Sequence, residues 1–157
     1  MAAGTGIHRA EGLEDIAHIR LLFEEYAAWL DVDLCFQGFA EEVAGLPGKY
    51  APPDGRLYLA RADGRPAGCI ALRRFDDETG EVKRLYVRPA YRGLGLGYEL
   101  AARVLRDAKE IGYRRLVLDT LPRMEAARKL YERLGFRPVP AYYGNPLGGV
   151  VYMELVL

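Results

Sequence analysis

Arg92-Gly93-Leu94-Gly95-Leu96-Gly97 decides the reading of this chain, because three alternate glycines stand where a strand hands over to an amphipathic helix. Before them, Glu81-Val82-Lys83-Arg84-Leu85-Tyr86-Val87 alternates polar and apolar residues, a strand pattern that Pro89 brings to a stop. After them, Leu100, Ala101, Val104, Leu105, Ala108 and Ile111 recur at helical spacing and predict a helix over Leu100 to Ile111. The first N–H groups of a helix have no partner within it, and the macrodipole adds positive potential there. Glycine lets such a backbone approach an anion where a Cβ would collide. The stretch reads as a phosphate-holding loop, although a glycine triplet also suits an ordinary tight helix start.

Spacing narrows the ligand. A P-loop needs G-x-x-x-x-G-K-[ST], and neither the lysine nor the hydroxyl is present. A dinucleotide fingerprint needs G-x-G-x-x-G, and after Gly93 and Gly95 the third glycine position holds Tyr98. R-x-x-G-x-G fits in full, as Arg92, Gly95 and Gly97.

Outward from the loop, the N-terminal half predicts a strand at Ile7 to Ala10 and a helix from Leu13 to Leu30 with Glu14 and Asp15 in its first turn. A shorter helix follows over Phe39 to Leu46, then a Pro- and Gly-rich loop from Pro47 to Gly55. Leu57 to Ala62 and Ala67 to Arg74 flank Asp63-Gly64, a hairpin whose turn residues suit positive φ. Beyond the glycine loop come a short strand Leu116-Val117-Leu118-Asp119, a helix from about Arg123 to Leu134 stopped by Gly135, and a closing hairpin ending in the strand Val150 to Val156. The predicted order is β-α-α-β-β-β-α-β-α-β-β, without an internal repeat.

The 157 residues, half of them hydrophobic, suffice for one domain with a substantial core, so residues 1–157 are expected to form a single domain. Lys plus Arg and Asp plus Glu are 22 each, a formal net charge of zero that gives no support for a nucleic-acid binder. No stretch approaches the ~20 apolar residues of a membrane span, and Met1 to Gly6 lacks a secretory apolar run. Two cysteines, Cys35 and Cys69, in dissimilar settings, fit a reduced cytoplasmic compartment, and two isolated histidines, His8 and His18, give no metal-ligand spacing.

A second motif, Ala127-Arg128-Lys129-Leu130-Tyr131-Glu132-Arg133-Leu134-Gly135-Phe136, lies at the end of the last helix. With the glycine loop and the element order, this A-x-x-L-Y-x-x-x-G-F run resembles the GNAT superfamily of N-acetyltransferases, from about Ile7 onward. The resemblance implies an α/β (α+β) acyl-CoA N-acyltransferase fold: a central mixed, mostly antiparallel twisted sheet of about seven strands flanked by four helices. One position departs from the family pattern: Met124 stands where many members carry asparagine, three residues before the alanine of the second motif.

The resemblance also implies an activity, transfer of an acetyl group from acetyl-CoA to a primary amine of a small molecule or amino-acid-like acceptor, in a ternary complex and without a metal. Backbone N–H groups of Arg92, Gly93, Leu94, Gly95, Leu96, Gly97 and Tyr98 would meet the CoA pyrophosphate, with the Arg92 side chain either adding charge or bracing the loop. Leu85, Tyr86 and Val87 would pair with the pantetheine arm, and an N–H near Leu85 would donate to the thioester carbonyl. Tyr131 is then the candidate acid that protonates the CoA thiolate, and Glu81 the candidate base, directly or through water; their plain alternatives are a packing aromatic and an ion pair with Lys83 or Arg73. Acceptor contacts fall to Phe36, Gln37, Tyr142, Tyr143 and Asn145.

Three plainer expectations complete the reading. Trp29 belongs to the core; Asp119 caps the turn into the last helix, its alternative being to orient the substrate amine; Arg73, Arg74, Lys83 and Arg84 form a solvated sheet face, their alternative being to read a substrate carboxylate. A homodimer is compatible with the resemblance. The other activities it leaves open are acetylation of a protein lysine or N-terminus and a non-catalytic acyl-CoA sensor. A nucleotide-binding oxidoreductase domain would use Asp119 as its ribose-binding acid, against which stand Tyr98 and the second motif.

Overall fold

The computed structural model describes residues 4–31, 34 and 38–157. The strands are β1 (Thr5–Arg9), β2 (Arg56–Ala62), β3 (Arg65–Arg74), β4 (Thr79–Val87), β5 (Arg115–Thr120), β6 (Arg137–Val139) and β7 (Val151–Val156). The helices are α1 (Gly12–Leu30), α2 (Phe39–Ala44), α3 (Leu96–Ile111) and α4 (Glu125–Arg133). This is the predicted order. One seven-stranded sheet runs β1-β2-β3-β4-β5-β7-β6, antiparallel throughout except where β4 lies parallel to β5.

Strand periodicity builds two cores on the two sheet faces. Leu57, Leu59, Cys69, Ala71 and Tyr86 face α1 and α2, packing against Ile19, Leu22, Phe23 and Val43. Tyr58, Ala60, Ile70, Leu72, Val82, Leu116 and Leu118 face α3, whose Leu96, Leu100, Ala101, Val104 and Ala108 supply the opposing stripe. Each fully buried large side chain, such as Phe23 or Leu100, contributes about 1.5–3 kcal/mol. The hairpin turn is as expected: Asp63 and Gly64 have φ +49° and +78°.

What positions the site is a split in the middle of the sheet. β4 and β5 pair only at Thr79↔Arg115, Gly80↔Leu116 and Glu81↔Val117. A bulge in β4 accompanies the split: from Cys69↔Tyr86 to Ala71↔Lys83, two steps on β3 match three on β4, and Arg84 adopts φ +62°. A bulge bends its strand and sharpens its twist, carrying β4 away from β5 while β5 stays paired along its whole length with β7.

Candidate active site

The glycine loop opens α3 beside the upper end of this split. Gly93 and Gly95 sit at φ +87° and +78°, and no heavy atom lies within 4 Å of where a Cβ would be at either. The left-handed backbone is therefore the reason for glycine there, and it leaves an open backbone surface. Gly97 has a different cause: a Cβ on it would meet Leu130 Cδ1 at 3.2 Å, so it lets α4 pack on α3. The first bond inside α3 is Glu99 N–H to Gly95 O at 3.1 Å, and no side chain caps the helix. The N–H groups of Leu96, Gly97 and Tyr98 thus precede the helical ladder and have no partner within the helix. Arg92 braces the loop: its Nε donates to Val87 O at 3.0 Å and its guanidinium stacks 5.0 Å from the Trp29 ring. Tyr98 lies under Arg133, 4.8 Å from the guanidinium to the ring centre.

Backbone alternation gives β4 a usable edge. Arg88 N–H turns to Ala67 on β3 at 2.8 Å, so the polar groups of Val87 turn the other way, as the Arg92 contact to Val87 O confirms. The same alternation turns Leu85 toward the split.

Within the split lies a small cavity of about 50 Å³, lined among others by Lys83, Leu85, Asp119, Met124 and Tyr131. Tyr131 is buried, and burial pushes its phenol well above the ordinary range, with the Asp119 charge adding to the rise. It also packs edge-on against Phe136, so it is both an aromatic of the core and a wall of the cavity. On the α2 side a cleft of about 660 Å³ is lined by Tyr50, Arg73, Phe75, Glu81, Lys83 and Tyr143, among others. Lys83 lines both spaces, and burial lowers its ammonium below the usual value although Glu81 pulls it up.

Glu81, 1% exposed, holds three partners. Arg73 Nε donates to its Oε1 at 2.7 Å, Lys83 Nζ stands 3.9 Å from that oxygen, and Tyr142 donates its hydroxyl to Oε2 at 2.5 Å. Tyr143 and Asn145 belong to a parallel arrangement on the other strand, donating to Asp119 Oδ2 at 2.5 and 3.1 Å. The loop from residue 140 to 150 therefore grips both strands of the split.

Several expectations change on this geometry. Phe36 and Gln37 lie outside the described residues, as does Cys35. Tyr142 and Tyr143 lie in the loop before β7, which lets both hydroxyls reach the split, at Glu81 and Asp119. Trp29 is 42% exposed, not core, and leans on Arg92 and Tyr86. Asp119 does not cap α4, whose N-cap residue is Met124 with no side-chain cap bond; Met124 Sδ instead accepts from Thr120 Oγ1 at 3.6 Å. Of the basic cluster only Arg74 is solvated, 51% exposed beside Asp77, while Arg73 turns onto Glu81. The bulge turns Lys83 and Arg84 to the same side under α2, where Arg84 is buried, forked onto Glu42 at 2.9 and 3.0 Å and flanked by the Tyr26 and Phe39 rings. Asp119 is legible in the sequence as an acid after the short apolar run Leu116 to Leu118, and only the fold shows that it lines the small cavity.

Among the described residues no group of histidine, cysteine or acidic side chains has metal-binding geometry, and no helix is long and apolar enough to cross a membrane.

Comparison with known proteins agrees with this architecture. The Acetyltransferase (GNAT) family model matches residues 19–136. An uncharacterized N-acetyltransferase of Schizosaccharomyces pombe is 40% identical over 144 residues, 90% of this chain and 88% of that protein. N-acetylaspartate synthetase of Rattus norvegicus is 40% identical over 91 residues, 57% of this chain and 30% of that protein. An acetyltransferase structure from Streptococcus agalactiae superposes with a TM-score of 0.81 at 25% identity, covering 98% of this chain and 99% of that one. The PaiA N-acetyltransferase of Thermoplasma acidophilum, in complex with coenzyme A, has the same fold at a TM-score of 0.76 and 19% identity, with 98% and 99% covered.

Proposed function

Because this chain belongs to the GNAT acetyltransferase family and is an N-acetyltransferase, we propose that it acetylates the primary amine of a small, amino-acid-like acceptor, as a single domain using acetyl-CoA in a ternary complex. The carrying observation is the open edge of β4 at Leu85 to Val87, running from the small cavity to the N-terminus of α3.

The residues fit the donor. The left-handed glycines Gly93 and Gly95 and the N–H groups of Leu96, Gly97 and Tyr98 suit a pyrophosphate, and the edge of β4 suits an extended amide-bearing arm laid along it like an added strand. Acetyl-CoA, when bound, supplies an activated acyl carbon on a good leaving thiol. Leu85 N–H then polarises the thioester carbonyl. Tyr131, kept protonated by burial, hands a proton to the departing sulfur across the small cavity. Glu81 lines the acceptor cleft, and its Oε2 takes the amine's proton with the Tyr142 hydroxyl as relay: Tyr142 passes its hydrogen on as it receives another. The N–C bond forms as the C–S bond breaks, leaving an amide and a thiol.

A small acceptor with an amino-acid core suits the bounded cleft, and the partial relative named for N-acetylaspartate synthesis supports that class. The test is thermal unfolding with acetyl-CoA, CoA, NAD or ATP in excess, followed by turnover with amino acids and with lysine peptides. A ligand at ~100 times its dissociation constant stabilises by about 2.7 kcal/mol. A raised midpoint with acetyl-CoA and CoA alone, and turnover of amino acids over peptides, is expected; stabilisation by NAD alone, or by none of the four, overturns the assignment.

A further inference from the structure

The acid one residue before the end of β5 has no part in the roles above. Asp119 lies two residues past Val117, the register partner of Glu81, so Glu81, Lys83 and Asp119 share one face of the split sheet. Its Oδ2 carries both hydrogen bonds from the closing loop, Tyr143 at 2.5 Å and Asn145 at 3.1 Å, and Asn145 Nδ2 also donates to the Tyr143 oxygen at 2.8 Å. Among the described residues no hydrogen bond reaches Oδ1. Asp119 lines the small cavity with Leu85 and Tyr131, whereas Glu81 lines only the larger cleft and has both oxygens engaged. The other charge in the small cavity beside Asp119 and Arg84 is Lys83, and its ammonium stands 3.9 Å from Glu81.

A primary amine with a pKa near ~10 reaches the enzyme as an ammonium ion. Bringing that cation into a cavity walled by Leu85, Ala127 and Tyr131 costs solvation, which a fixed anion restores. Resting on the acetyltransferase reading, we propose that Asp119 receives the ammonium of the acceptor. Its Oδ1 accepts a hydrogen bond from the nitrogen about to attack, and Tyr143 and Asn145 hold the plane of the carboxylate through Oδ2. No bond changes at Asp119 itself; the proton still leaves toward Glu81. The arrangement selects acceptors that are cationic in water over neutral nucleophiles of similar size.

The experiment compares wild type, Asp119→Asn and Tyr143→Phe at neutral pH with propylamine, L-alanine and L-aspartate, whose nitrogens are cationic, and with hydroxylamine, which is neutral. Thermal unfolding with acetyl-CoA is run on each protein to show that it folds and binds the donor. Asp119→Asn is expected to lower kcat/KM for the cationic amines by about 30-fold, through KM, while hydroxylamine turnover and the KM for acetyl-CoA stay within about twofold. Tyr143→Phe is expected to cause a smaller loss of about threefold with the same selectivity. Equal losses with hydroxylamine and the amines, or no loss, overturn the proposal. So does a wild type that binds acetyl-CoA yet acetylates none of the three amines. A wild type that acetyl-CoA fails to stabilise overturns the acetyltransferase reading instead.

Discussion

The Tyr142 hydroxyl donates to Oε2 of Glu81 across 2.5 Å, tying the loop before β7 to the strand that borders the split. The bond completes the fixing of the Glu81 carboxylate, which lines the α2-side cleft and is held on its other side by Arg73. Burial and the Glu81 charge hold the Tyr142 phenol far above its ordinary range, so it stays protonated and acts as a donor.

Removing that hydroxyl tests the contact. Tyr142→Phe is expected to lower kcat by about tenfold, the low end for a proton-transfer partner, with little change in the KM for acetyl-CoA. Losing a hydrogen bond to a charged group costs about 1.5–3 kcal/mol, checked by the urea midpoint.

The glycine pair Gly95 and Gly97 separates backbone conformation from packing. Gly95→Ala forces φ +78° on an alanine and is expected to cost about 1–2 kcal/mol and to weaken the acetyl-CoA thermal shift. Gly97→Ala instead presses on Leu130, so its cost of about 1–3 kcal/mol comes from moving α4. Thermal unfolding of both variants with and without acetyl-CoA distinguishes the two.

Glu42→Ala leaves the buried Arg84 guanidinium at the bulge without its forked partner. Stranding such a charge is expected to cost about 3–5 kcal/mol in a urea titration. Because Arg84 sits where β4 leaves β5, donor affinity should fall with stability.

Alkaline pH supplies a further test. Burial raises the phenols of Tyr50, Tyr131, Tyr142 and Tyr143, and pushes Tyr26 up to about 12. A phenol whose folded pKa is raised contributes stability fully present below its unfolded value, near ~10, and lost as pH rises toward the folded value. The urea midpoint should therefore hold to about pH 10 and fall steeply beyond it, with tyrosinate absorbance of the buried rings appearing only with unfolding. Since Tyr131 remains protonated throughout that range, Tyr131→Phe should lower kcat without moving the alkaline limb of the activity profile.

Much of this molecule was readable before folding. The apolar spacing of Leu100 to Ile111 and the alternation of Glu81 to Val87 placed α3 and β4 within a few residues, because the two periodicities differ and the segments are long. Less regular pieces depart from their local pattern. Arg84 reads as an exposed cation in a polar-apolar alternation, yet the bulge slips the register by one and turns it inward against Glu42, 42 residues away in the chain. Trp29 reads as core because it lies on a helix, but its stacking partner Arg92 comes from a loop that helix periodicity does not foresee.

The sequence by itself determined the element order and the glycine-opened helix, since these follow from local spacing and from the conformations only glycine tolerates. Tertiary structure alone decided the split between β4 and β5 and the chemistry gathered around it. Whether Glu81 is free or gripped, and whether Asp119 caps a helix or faces a cavity, depends on Arg73, Tyr142, Tyr143 and Asn145. Those partners lie on other strands or in the closing loop, and only packing brings them within hydrogen-bond reach.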